Sequence, residues 1–223
     1  METTAISKAL AQLREKAVKR NFVQTIDLII NLKNLDLKQA DQQVDQYILL
    51  PKTRGRQIRI GAFIGAEMAA AAKGMVDVIV MHDDFPSYAG DKKKIKKLAQ
   101  DCDFFISQAN IMPDVAKVFG RVLGPRGKMP NPKAGCVVAP NANLKPLADR
   151  LRTTVRCAAK TQLSIKLPIG KEDQKDEDII ENVHTIIEHL LHALPQEKNN
   201  VGSIILKLTM GAPVKIVEGG ESP

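Results

Sequence analysis

Pro51-Lys52-Thr53-Arg54-Gly55-Arg56-Gln57-Ile58-Arg59-Ile60-Gly61-Ala62-Phe63-Ile64 is the stretch where the character of this 223-residue chain changes. Upstream the pattern alternates. Within residues 22–33, Ile26, Leu28, Ile30 and Leu32 fall on one face and Asp27, Asn31 and Lys33 on the other. That alternation predicts a half-buried strand. Residues 44–50 read as a second strand, and Pro51 and Gly55 then interrupt the chain. From Gln57 onward short apolar strands, at 57–64, 76–81 and 104–107, alternate with helices. The helices are expected at 67–73 (ended by Gly74), 92–100 and 111–119. This order means βαβ units and a mostly parallel sheet with helices on its faces.

Both flanks differ from that middle. Residues 5–19 read as an amphipathic helix through Ile6, Leu10, Leu13 and Ala17, with Thr4 as N-cap. A helix at 144–153 leads the chain out of the middle, and a strand follows at 163–167. Residues 176–193 form a long amphipathic helix with Ile179, Val183, Ile186, Ile187 and Leu190 on its apolar side. Strands at 203–209 and 213–217 close the chain. Two strands near the start and three near the end are expected to share one sheet. The fold class is therefore α/β. An α+β outer domain, residues 1–53 plus 153–223, is split across both termini, and a βαβ-type domain, residues 54–152, is inserted in it.

Hydrophobic residues make up 44% of the chain, enough for a core, while aromatics reach only 4%. The cores are expected to be aliphatic, and recognition by many base-on-aromatic stacks is disfavoured. The formal net charge of +8 favours a polyanionic partner. Three widely spaced cysteines, Cys102, Cys136 and Cys157, suit neither a disulfide framework nor a zinc cluster. Residues 1–20 lack the apolar run of a secretory signal. The best apolar stretch, residues 60–72, is too short for a span and is broken by Glu67, so no membrane is expected.

The most unusual segment is Gly120-Arg121-Val122-Leu123-Gly124-Pro125-Arg126-Gly127-Lys128-Met129-Pro130-Asn131-Pro132-Lys133-Ala134-Gly135. It holds four glycines, three prolines and four basic residues. No Asp or Glu occurs from residue 115 to residue 148. A stiff, basic, acid-free loop suits phosphate, and a structural turn with solvated charges is the rival. A nucleotide loop fails on spacing, because Val122 stands where the first glycine of a Walker A motif belongs and Met129 where a hydroxyl would hold Mg²⁺. Lys92-Lys93-Lys94-Ile95-Lys96-Lys97 is a second basic run, either a solvated helix face or a nucleic-acid contact. Thr209-Met210-Gly211 reads as a β-turn that could dock on ribose and base edges.

Catalytic constellations are poor. Glu188-His189-Leu190-Leu191-His192 places its glutamate before the first histidine and so is not HExxH. Asp83 and Asp84, with His82, follow a strand end where α/β sites sit. They carry the alternative function, an α/β metal-dependent hydrolase. The leading expectation is no enzyme, no catalytic or metal residues and no cofactor.

The segment from Gly124 to Gly135 resembles the signature of the large-subunit ribosomal protein L-one family. Thr209-Met210-Gly211 before a final strand, Phe22 placed in the first strand, and Lys160-Thr161 before a later strand are similar to further elements of it. One departure is Ala212 before Pro213. The resemblance runs along the whole chain and favours the archaeal form. It implies a two-domain structural constituent of the large ribosomal subunit that binds large-subunit rRNA at the mobile stalk near the tRNA exit site. It also implies help in releasing deacylated tRNA and repression of translation of its own mRNA. The implied RNA contacts are Phe22, Lys160, Thr161, Thr209, Met210 and Gly211. Arg121, Arg126, Lys128 and Lys133, in the signature loop, are further candidates for RNA or interdomain contact, with a structural role as the alternative. The implied protein is cytoplasmic, on the ribosome beside other ribosomal components, and monomeric when free.

Overall fold

A computed structural model describes residues 3–140 and 142–217. The elements in chain order begin with α1 (Thr3–Glu15), β1 (Thr25–Leu32), β2 (Val44–Leu49), β3 (Ile60–Ile64), α2 (Ala69–Ala72) and β4 (Val78–Met81). Then come α3 (Phe85–Ala89), α4 (Lys92–Asp101), β5 (Phe104–Gln108), α5 (Met112–Leu123), β6 (Val137–Val138) and α6 (Leu144–Thr153). The chain closes with β7 (Thr154–Ala159), β8 (Ser164–Lys171), α7 (Asp176–Ala193), β9 (Val201–Leu208) and β10 (Pro213–Ile216). Two compact units result. One holds residues 1–56 and 153–223, the other residues 57–152. The fold class is α/β, as the alternation of elements implies.

The first unit is built on an antiparallel sheet in the order β10-β9-β1-β8. Ile26, Leu28, Ile30 and Leu32 of β1 all face the core, as their spacing of two requires. Ile6, Leu10 and Leu13 of α1 and Ile179, Val183, Ile186 and Leu190 of α7 belong to the same core. Helix α7 carries Asp176, Glu177 and Asp178 in its first turn and His192 in its last, the arrangement the helix dipole favours. Arg14 staples its start, bonding Asp176 at 2.8 Å and the carbonyls of Glu172 (2.7 Å) and Gln174 (2.9 Å).

Several expectations need correction here. Helix α1 ends at Glu15 instead of Lys19, and Thr4 lies inside its first turn instead of capping it. Strand β1 starts at Thr25, so Phe22 precedes the strand. Strand β2 does not join the sheet of β1. It pairs with β7 in a separate two-stranded sheet.

The second unit has a wholly parallel sheet in the order β4-β3-β5-β6. All five residues of β3 are buried, as a strand covered on both faces must be. Its core is not purely aliphatic. Phe63 sits 5.3 Å from Phe105, 4.6 Å from Phe119 and 6.0 Å from Phe85, ring centre to ring centre. The few aromatics are concentrated instead of spread, so a low total did not mean an aromatic-poor core. Gly61 is required by this cluster, because a Cβ there would lie 2.7 Å from the Phe105 ring.

Candidate nucleic-acid interface

One end of the first unit's sheet gathers the start of β1 and the turn between β9 and β10. Thr209 binds Thr25 three times. Its N–H donates to the Thr25 carbonyl (3.1 Å), its hydroxyl donates to the same carbonyl (3.2 Å), and Thr25 N–H donates to that hydroxyl (3.2 Å). Gln24, only 2% exposed, accepts the Met210 N–H on Oε1 at 3.1 Å. Gly211 N–H donates to the Leu208 carbonyl at 3.0 Å. A Cβ on Gly211 would approach Leu208 Cβ to 3.0 Å, so a side chain there would require Leu208 to give slightly. The backbone of the turn is thus fixed from three directions, while the Met210 side chain is 61% exposed.

Phe22 lies on the segment entering β1 and is 53% exposed, with Val23 beside it also exposed. Lys19, Arg20, Asn21, Phe22 and Val23 line a shallow recess of about 380 Å³ with Glu172 and Asp173. Glu172 holds the segment in place. Its N–H donates to the Gln24 carbonyl (2.9 Å) and its carboxylate accepts Gln24 N–H (3.3 Å). The result is a preformed patch of exposed apolar side chains beside cations, an arrangement suited to reading shape.

Lys160 and Thr161 do not join this patch. They lie between β7 and β8, at the end of the sheet where Asn31 faces Ser164, whereas Thr25 faces Lys171 at the other end. Six residues of strand separate the two ends, roughly 20 Å. Lys160 is bound to Asp45 at 2.7 Å, and Arg156 binds the same carboxylate at 2.9 and 3.2 Å. Burial raises the cost of ionising Asp45, but the hydrogen bonds from Arg156 and Lys160 outweigh it and hold its carboxyl below the usual carboxylate range. Arg156 also lies over the Tyr47 ring, 5.8 Å from its centre.

The glycine- and proline-rich segment divides. Helix α5 runs to Leu123, so Gly120 and Arg121 belong to a helix and not to a loop. Beyond it the backbone turns at Gly127, φ +65°. Lys128 then folds inward, donating to the carbonyls of Ala99 (2.8 Å) and Cys102 (2.7 Å) at the end of α4. Those carbonyls are among the acceptors a helix end leaves open. Arg126 reaches the Lys96 carbonyl at 3.5 Å, and Arg121 and Lys133 are exposed. Asn131 caps the short turn Pro132–Ala134 by accepting the Lys133 N–H, and Gly135 leaves it with φ +73°.

Asp83 and Asp84 lie in the turn His82–Asp84 that follows β4. His82 Nε2 is 3.2 Å from Asp114, which Lys117 also meets at 3.2 Å. Among the described residues no three His, Cys, Asp or Glu side chains gather to hold a metal ion. No described helix is long and apolar enough to cross a membrane. The sequence reading missed Gln24 and Asp45. Neither carries a local signal, since their roles depend on strands more than a hundred residues away.

The sequence profile of the ribosomal protein L1p/L10e family matches residues 13–212. The large ribosomal subunit protein uL1 of Nanoarchaeum equitans is 42% identical over 203 residues, covering 89% of this chain and 93% of that protein. The uL1 of Methanobrevibacter smithii is 35% identical, with 96% and 100% covered. That of Methanothermococcus thermolithotrophicus is 38% identical, with 97% and 99% covered. With the family's profile spanning nearly the whole chain and relatives this similar over their full length, the chain belongs to the ribosomal protein L1p/L10e family.

Proposed function

We propose that this chain is a structural, non-enzymatic constituent of the large ribosomal subunit that binds large-subunit rRNA through the split unit. The site is the mobile stalk near the tRNA exit site, where the protein assists release of deacylated tRNA. The same surface represses translation of its own mRNA by taking a similar RNA fold. The protein works in the cytoplasm, on the ribosome beside other ribosomal components, and is monomeric when free.

The observation that carries this reading is the Met210 turn. Its backbone is locked by Gln24 and Thr25 while its side chain stands in solvent, and Phe22, two residues before Gln24, is exposed as well. An exposed methionine on a rigid support suits a partner surface of fixed shape. The Thr209 hydroxyl donates to one group and accepts from another. One acceptor lone pair is left, which suits a ribose 2′-OH. Lys19 and Arg20, in the recess lined by Phe22, supply phosphate attraction. Lys160 and Thr161 act as a separate, peripheral contact, and Arg121, Arg126, Lys128 and Lys133 lie on the other unit.

The test is the affinity of the protein for a stalk rRNA fragment. Met210→Ala is expected to weaken it by about 1–3 kcal/mol, as loss of a specific contact does. Unchanged affinity in that variant would remove the Met210 turn from the interface. The metal-dependent hydrolase alternative on Asp83 and Asp84 has no third ligand among the described residues to support it.

A further inference from the structure

The lysine run has no part in that function, yet its placement is unusual. In α4 the residues Ile95, Leu98 and Ala99 face the core, and Lys92, Lys93, Lys94, Lys96 and Lys97 are all exposed. Among the described residues none of these five ammonium groups meets a carboxylate. The nearest candidate in sequence, Asp91, is occupied as the N-cap and accepts the backbone N–H groups of Lys93 and Lys94.

Two rules of helix stability are broken at once. Lysines crowd the first turn, where the helix dipole favours anions. Lys92 and Lys96, Lys93 and Lys97, Lys93 and Lys96, and Lys94 and Lys97 are like charges three or four residues apart, which repel. A face built only for solubility mixes both signs. This one sets five exposed lysines against a single exposed carboxylate, Asp101 at the helix end, and Arg126 adds to the positive side by resting on the Lys96 carbonyl. Local rules are broken without compensation mainly where function requires it.

The chemistry of the partner follows from what surrounds the lysines. Among the described residues the exposed large apolar side chains, Val18, Phe22, Val23, Leu49, Leu163, Met210 and Val217, belong to the split unit, and none to residues 57–152. Stable attachment to a membrane takes an apolar face or a lipid chain beside the charges, and a protein interface needs anchoring side chains. A phosphate backbone needs neither, and lysines serve it as sequence-independent point charges.

We propose that α4 with Arg126 is a second contact surface of this protein, one that takes the phosphate backbone of an RNA helix regardless of sequence. The choice of RNA among polyanions rests on the function proposed above. The assignment of the surface does not.

The experiment measures binding of the full chain to duplex RNA of unrelated sequence across a salt series. Lys93→Gln/Lys96→Gln/Lys97→Gln is compared with Lys8→Gln/Lys145→Gln/Lys198→Gln, exposed positions elsewhere. Each set removes three charges and lowers the formal net charge from +8 to 8 − 3 = +5. Glutamine keeps helix propensity near that of lysine, and circular dichroism verifies the fold. The α4 variant is expected to bind about tenfold or more weakly at low salt. The slope of log K against log salt should fall by about 2–3, close to one per lost phosphate contact, and the control should lose less than about one. Equal behaviour of the two variants would mean that net charge alone is responsible and would overturn the proposal. So would an α4 variant that matches wild type. Lysine-dependent binding to phosphatidylserine vesicles without an effect on duplex RNA would overturn the choice of partner. Met210→Ala run on the same duplex should bind like wild type. Its loss is read only on the stalk fragment, so each reading can fail alone.

Discussion

Two turns in this molecule, Gly124–Gly135 and Thr209–Gly211, use their side chains in opposite ways. In the Gly124–Gly135 segment the cation Lys128 is turned inward, onto the carbonyls that end α4. In the Thr209–Gly211 turn the backbone is held by the fold and the apolar Met210 is left outside. Composition alone suggests the reverse, a basic loop for the ligand and an ordinary turn for structure. The difference teaches that the charge of a loop does not give the direction of its charges. Direction is set by whichever open acceptors the fold brings near, here the end of a helix some thirty residues earlier in the chain.

This contrast can be broken by substitution. Lys128→Met strips two charged hydrogen bonds from the end of α4 and is expected to cost about 2–3 kcal/mol in urea unfolding. Its affinity for the stalk fragment should stay within about twofold of wild type. A stable variant that binds poorly would make the loop an interface after all. Gln24→Ala should do the opposite at the other turn. Losing the buried acceptor for Met210 N–H costs about 1–2 kcal/mol of stability, and stalk affinity should fall with it because the turn is no longer fixed. Undiminished affinity would show that the rigidity of the turn is irrelevant.

Asp45→Asn probes the network around Lys160 and should cost about 1 kcal/mol at neutral pH. Asp45 has its folded pKa depressed, so its stabilisation is present above the ordinary value of 3.8 and lost as pH falls through the lower folded value. The gap between wild type and variant in thermal melts should therefore close only below about pH 4. A gap that narrows already between pH 7 and 5 would point to another group. The smallest effect is kinetic. Burial pushes the Cys102 thiol up to about 11 and Cys157 up to about 12, so neither should react with thiol reagents near pH 8 while folded. Lys128→Met should hasten labelling of Cys102, whose carbonyl it releases, and leave Cys157 unchanged.

Much of the fold was legible in periodicity. Helices α6 and α7 start and end where their apolar spacing and flanking residues place them. The alternation of β1 gives its buried face correctly. Strand β7 was not legible, because it follows α6 with no intervening glycine or proline, and its pattern is interrupted by Arg156, whose charge is met by Asp45 on a distant strand. Helix α3 has five residues, too few for a helical period to show. Of the residues proposed for RNA, Phe22, Thr209, Met210 and Gly211 came from resemblance. No local property separates Met210 from any other turn residue until Gln24, 186 positions away, is seen beneath it.

The central position of β1 has a consequence for synthesis. Both of its neighbours, β8 and β9, lie beyond the inserted unit in the chain. At roughly 5–20 residues per second of translation, the strand waits about 7–26 s for a partner. Residues 57–152, being continuous, can mature first. Throughout that delay Ile26, Leu28, Ile30 and Leu32 stand unpaired on the nascent chain. A chaperone that recognises short aliphatic stretches would find one exposed here, and the completed C-terminal strands would displace it.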